Sequence, residues 1–129
     1  MNVESRNNIF EIWSEDEIMY SRFLYPITLD RALGEVFLES RHQFSNGQKQ
    51  YWCFDFTNVL SMTKDARDHA AKSGQNMLHA SAAVVSNSIQ AFIINIFNLL
   101  KRPRIPFKAF SCKEEAVAWL LELKAKNGH

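Results

Sequence analysis

The sequence predicts an α/β protein, with a mixed, mostly parallel sheet packed by helices in the order β-β-α-β-α-β-α-β-α. Three observations carry this. From Tyr51 to Phe56 the side chains alternate: Trp52, Phe54 and Phe56 to one side, Tyr51, Cys53 and Asp55 to the other. Period-two alternation with aromatics marks a sheet strand. Beyond it, strand-like and helix-like stretches take turns to the end of the chain, a pattern that implies parallel neighbours joined by right-handed crossovers. Before it, two short apolar runs flank a polar turn, so the sheet opens on an antiparallel hairpin.

The elements follow in order. Residues 1–8 are polar and are expected to be flexible. Ile9–Trp13 and Ile18–Leu24 read as strands around the turn Ser14-Glu15-Asp16-Glu17, and Pro26 stops the second. Thr28 is the expected cap of the first helix, with Asp30 in its first turn, where the dipole favours negative charge. Leu29, Leu33, Val36, Phe37, Ser40 and Phe44 share one face at helical spacing. Gly34 lets a neighbour approach, and Ser45-Asn46-Gly47 ends the helix. After the aromatic strand, Thr57, Asn58, Ser61 and Thr63 form a loop, and Thr63 caps a helix running to about Ser73. Its inward positions, Ala66, Ala70, Ala71 and Ser73, are small, and Gly74 closes it. Residues 75–79 read as a loop. Ala80–Val85 reads as a central strand covered on both faces.

Ser86 or Asn87 caps the third helix. Ile89, Phe92, Ile93, Ile96, Phe97 and Leu100 fit its inward stripe. Ala91 and Ile94 widen the stripe toward the other side, as a broad core face or as a shoulder for a partner. Pro103 and Pro106 bracket a stiff crossing into a strand at Phe107–Phe110. Ser111 and Glu114 have the spacing of a capping box. Ala116, Val117, Trp119, Leu120, Leu121 and Leu123 furnish the last helix, and residues 126–129 are expected to be flexible.

A length of 129 residues fits one domain over 1–129, and 47% hydrophobic residues imply a packed globule. Fifteen Lys and Arg against fourteen Asp and Glu exclude the strongly basic face that non-specific nucleic-acid binding requires. The local cluster Lys101, Arg102 and Arg104 reads as a solvated loop after a helix C-terminus. Cys53 and Cys112 form neither a disulfide motif nor a metal spacing. Cys53 reads as a small buried hydrophobe, and the unpaired thiols suit the cytoplasm. The N-terminus lacks the layout of a signal peptide. Ala80–Leu100 carries no charge but is broken by Ser, Asn and Gln, so no transmembrane segment is expected.

Catalytic signatures are missing. His42, His69, His79 and His129 have no metal-ligand spacing, and no GxGxxG, GxxxxGK[ST] or GxSxG motif occurs. Asp55, alone at a strand end, reads as an acceptor that anchors its loop. No catalytic residue, metal or cofactor is expected.

Tyr51 to Val59 and Ser61 to Arg67 resemble the strand–loop–helix signature of the STAS superfamily, the sulfate-transporter and anti-sigma-factor-antagonist domains. Val84-Val85-Ser86, the Ile89–Leu100 helix and Ala109–Leu120 fit the same pattern. The likeness covers about residues 50–123. The opening hairpin and first helix resemble small stand-alone bacterial proteins of the SpoIIAA-like type. In anti-sigma-factor antagonists a phosphorylatable serine opens the helix; the corresponding run here is Thr63-Lys64-Asp65-Ala66. Thr63 and Ser61 are the nearby hydroxyls. Asp65 stands near the serine's place, as a fixed charge or as a complement to the helix dipole. The resemblance implies a non-enzymatic regulatory or protein-interaction module that meets its partner through Asn58, Ser61, Thr63, Lys64 and Asp65. It implies a protein partner of the kinase or anti-sigma class. A second reading is a small carrier or sensor of an apolar ligand such as a lipid, with the ten Phe, Met62 and Met77 lining a pocket. A homodimer built on the Ile94 shoulder is compatible with either.

Overall fold

The computed structural model describes residues 2–101 and 103–128. Its elements are β1 (Asn2–Arg6), β2 (Phe10–Glu15), β3 (Ile18–Phe23), β4 (Ile27–Leu29), α1 (Arg31–Ser45), β5 (Gln50–Asp55), β6 (Val59–Met62), α2 (Lys64–Ser73), β7 (Leu78–Val84), α3 (Ser88–Lys101), β8 (Phe107–Phe110) and α4 (Lys113–Asn127). The predicted order is retained, with β1, β4 and β6 as additional strands. The main sheet runs β1-β2-β3-β5-β7-β8. Its first two pairings are antiparallel and the remaining three parallel. The small β4–β6 pair is parallel.

The hairpin register runs unbroken from Phe10↔Phe23 to Glu15↔Ile18. Its two-residue turn, Asp16-Glu17, has φ of 53° and 65°, left-handed at both positions. That is the geometry of a type I′ turn.

Alternation along β5 divides the core as expected. Phe54 and Phe56 join Phe10, Phe23, Phe37 and Ile94 on one side, with Trp52 packed against them. Tyr51 and Cys53 join Ile18, Tyr20, Ala82 and Leu120 on the other. Helices α1, α2 and α3 cover the first side; α4 alone covers the second. Burial raises the Cys53 thiol pKa to about 12, consistent with an inert hydrophobe.

Several local expectations are corrected. Thr28 lies in β4 and does not cap α1; Asp30 does, accepting the Leu33 N–H at 2.9 Å. Pairing of β4 with β6 holds Thr28 extended, which moves the helix start two residues on. The loop after β5 contains a strand for the same reason. The Ser111–Glu114 capping box does not form: Cys112 takes the cap position and no side chain caps α4. Ser111 therefore lies one residue too early to reach the helix amides. β7 begins at Leu78, within the expected loop. The neighbour of Gly34 is His69, at 3.6 Å from where a Cβ would sit, an ordinary contact. Thr63 caps α2, and Asn87 rather than Ser86 caps α3, accepting the Gln90 N–H at 2.9 Å. Arg102 of the basic cluster, and His129, lie outside the described residues.

Candidate functional site

The five predicted site residues lie along one ridge, from the end of β5 through β6 into α2. Asn58 donates its side-chain amide to the Phe23 carbonyl at 2.8 Å, tying the ridge to β3. Ser61 lies 3.1 Å, hydroxyl to hydroxyl, from Thr28 across the β4–β6 pair. The Thr63 hydroxyl accepts from the Ala66 N–H and donates to the Asp65 carboxylate. Lys64 pairs with Asp68 one turn on, at 3.2 Å. Only Thr63 and Asp65 touch each other, and each contact serves local structure. Ser61, Lys64 and Asp65 are nevertheless exposed, and beside them Leu60 is 63% exposed.

The candidates for catalysis do not come together. Asp55 accepts from the Thr57 N–H and hydroxyl, the loop-anchoring role expected of it. His69 is half-buried on α2, at the cavity wall, and His79 stacks on Tyr51 at 4.9 Å on a different surface. Among the described residues no group of three His, Cys, Asp or Glu is placed to hold a metal ion.

The third helix is turned part of the way from its expected orientation: Ile93 and Phe97 face inward as expected. Ile94 is 3% exposed and belongs to the core, so it cannot supply a dimer shoulder. Ile89, Phe92, Leu99 and Leu100 are each at least 63% exposed instead. Polar amides fasten the inward face. The buried Gln90 side chain donates to the carbonyls of Phe56, Thr57 and Val59 at 3.0–3.1 Å and accepts from Ser86. Asn98 donates to the Phe107 carbonyl at 2.7 Å. The physical reason is local. The carbonyls of Phe56, Thr57 and Val59 converge at one point after β5, and buried carbonyls favour a donor there. Meeting that need rotates the helix and turns one edge of its apolar stripe, Ile89, Phe92, Leu99 and Leu100, to solvent. Gln90 thereby joins the first turn of α3 to the ridge.

Beneath α1, α2 and α3 lies a cavity of about 120 Å³. Its wall is mainly apolar, with Phe37, Phe54, Met62, Phe97 and Phe107 among its residues. Met62 was expected in such a lining; Met77 is outside it. One residue on this wall carried no expectation: Arg41, 1% exposed, in the middle of the buried face of α1. Its guanidinium stacks on the Trp52 ring at 4.7 Å. Nη2 donates to the carbonyls of Gly74 and Asn76 at 3.0 and 3.2 Å. Nη1 is buried without a hydrogen-bond partner, as is the Ser81 hydroxyl on the same wall. Desolvation lowers the Arg41 pKa to about 10, so the group stays charged near neutrality. Burial, then the Arg41 charge, lowers the pKa of the adjacent His42. Spacing alone carried one signal for Arg41: it falls four residues after Phe37, on the apolar face.

Among the described residues no helix is long and apolar enough to cross a membrane. No curated protein matches the chain. In structure it is similar to an uncharacterized protein of the DUF3478 family from Shewanella loihica PV-4, described as having a SpoIIAA-like fold. The TM-score is 0.65 at 17% identity, covering 92% of this chain and 99% of the other. The fold is thus SpoIIAA-like, of the STAS type, as the strand–loop–helix pattern implied. The family described as a domain of unknown function, DUF7793, matches residues 12–124, and the chain belongs to that family.

Proposed function

We propose that the chain is a non-enzymatic regulatory module that binds a protein partner through the Asn58–Asp65 ridge and the outward stripe of α3. One observation carries the reading: Ile89, Phe92, Leu99 and Leu100 face solvent on a helix whose inward side is held by Gln90 to that ridge. Exposed apolar residues in a row mark contact surfaces. A protein fits this stripe better than a membrane surface, because helices that lie on membranes carry Lys and Arg along their polar face and residues 88–100 carry no charge. The fold's resemblance to anti-sigma-factor antagonists favours a partner of the kinase or anti-sigma class. Asp65 supplies a standing negative charge where those proteins acquire a phosphate. The two free thiols favour a cytoplasmic setting.

The test compares capture by the wild-type chain with capture by Phe92→Lys, Lys64→Glu and, on the far side, Lys126→Glu. A partner retained by Lys126→Glu and lost by the other two supports the reading. A partner captured equally by all, or anionic vesicles bound in its place, counts against it. Light scattering of the same proteins shows whether the partner is a second copy.

A second reading, a carrier or sensor of an apolar ligand, is favoured by the cavity beneath the three helices. Shifts of the Phe54 and Phe97 ring resonances on adding toluene test it.

A further inference from the structure

The cavity is unusual in what it leaves unsatisfied. A charge in an apolar interior is costly unless it is paired. Among the described residues Arg41 has no carboxylate partner, and two backbone carbonyls engage only its Nη2. Nη1 is left with none. Ser81 leaves a second buried donor unused, although hydroxyls in such places ordinarily find an acceptor. Both residues line the cavity, and both adjoin Trp52. Arg41 covers the Trp52 ring, and Ser81 is its register partner on the next strand. Ser81 points to the same side as Ala83 and Val85, into the aromatic half of the core.

We propose that this cavity binds a small apolar monocarboxylate, with its carboxylate on Arg41 Nη1 and the Ser81 hydroxyl and its hydrocarbon part among Phe37, Phe54 and Phe97. The proposal rests on the second reading above, that the cavity takes a ligand. The ligand class follows from three matches. A guanidinium presents N–H groups in a planar fork that suits a planar oxyanion. The other guanidinium on the wall, Arg67, already donates to the Met62 carbonyl at 2.8 Å, so Arg41 alone calls for a single negative charge. A cavity of about 120 Å³ approaches the engineered apolar cavity of about 150 Å³ that holds benzene. That size selects a benzoate-like or short branched acid and leaves no room for a sugar phosphate. Binding supplies acceptors for both orphaned donors.

The experiment titrates the intact chain with benzoate, neutral benzamide and toluene, by calorimetry and by NMR of the arginine side-chain signals. Benzoate is expected to bind at least tenfold more tightly than benzamide and to shift the Arg41 side-chain resonance. Ser81→Ala is expected to weaken benzoate severalfold and leave toluene unchanged. Arg41→Met, where it folds, is expected to abolish the preference for the acid. Toluene binding with benzoate no tighter than benzamide would overturn the proposal and leave the carrier reading standing. No binding of any of the three would overturn both.

Discussion

The two faces of the main sheet are built from the same strands and have opposite characters. Under α4, small residues let the helix lie close: Ala80, Ala82, Ala116 and Leu120 are each at most 1% exposed. The apolar cavity lies on the other face. There β5 presents the large aromatics Trp52 and Phe54, beside the small Ser81 and Ala83 of β7. Rings cannot fill space as completely as alanines beneath a single helix, and the three covering helices meet over a void, a buried guanidinium and a fastened amide. Alternation with period two is enough to separate a face that holds the fold from a face that has room to do something else.

The largest expected effect tests the closed face. Leu120→Ala removes a fully buried side chain from the core beneath α4. It should cost about 2–5 kcal/mol in urea unfolding and leave toluene binding to the other face intact. Loss of toluene binding in a folded Leu120→Ala protein would mean that the faces are not independent. Gln90→Leu comes next: it strips donors from buried carbonyls of Phe56, Thr57 and Val59. It should cost about 1–3 kcal/mol and speed amide exchange in α3 more than in α4. Equal speeding in both helices would show that the amide acts only through global stability.

A smaller effect separates the faces by pH. The folded-state pKa of His42 is lowered, so the unfolded chain takes up the proton first. This contribution to stability is present above the ordinary histidine pKa of about 6.5 and is lost as pH falls below it. The drop in melting temperature between pH 7.5 and 5.5 should shrink in His42→Gln and stay unchanged in the α4 variant Lys126→Gln. The smallest effect belongs to the stripe. Phe92→Lys should alter stability by no more than about 0.5 kcal/mol. A much larger loss in urea unfolding would place Phe92 in the core and remove the contact surface.

Much of the fold was legible because its signals are local. The alternation of Trp52, Phe54 and Phe56, the Thr63 cap and the order of elements need no knowledge of distant chain. The errors share one cause, tertiary demand overriding local pattern. Thr28 is a good cap by composition, but pairing with β6 keeps it extended. The stripe from Ile89 to Leu100 is a good inward face by composition, and Ile93 and Phe97 keep to it, but carbonyls more than thirty residues away in sequence turn Gln90 inward and leave Ile89, Phe92, Leu99 and Leu100 outside. For the candidate site, the exposed ridge was readable and the cavity's chemistry was not. Arg41 looks like an ordinary surface arginine until α1 is packed against Trp52.

The tip of the β2–β3 hairpin shows where this architecture could be made sturdier. Two acidic residues occupy backbone positions that Asn-Gly adopts at far less steric cost. The six-pair ladder behind them enforces the bend regardless of what sits there. Grafting Asn and Gly at 16 and 17 therefore offers thermal hardening at a point remote from ridge, stripe and cavity, and a tougher background in which disruptive variants of those regions still fold well enough to be measured.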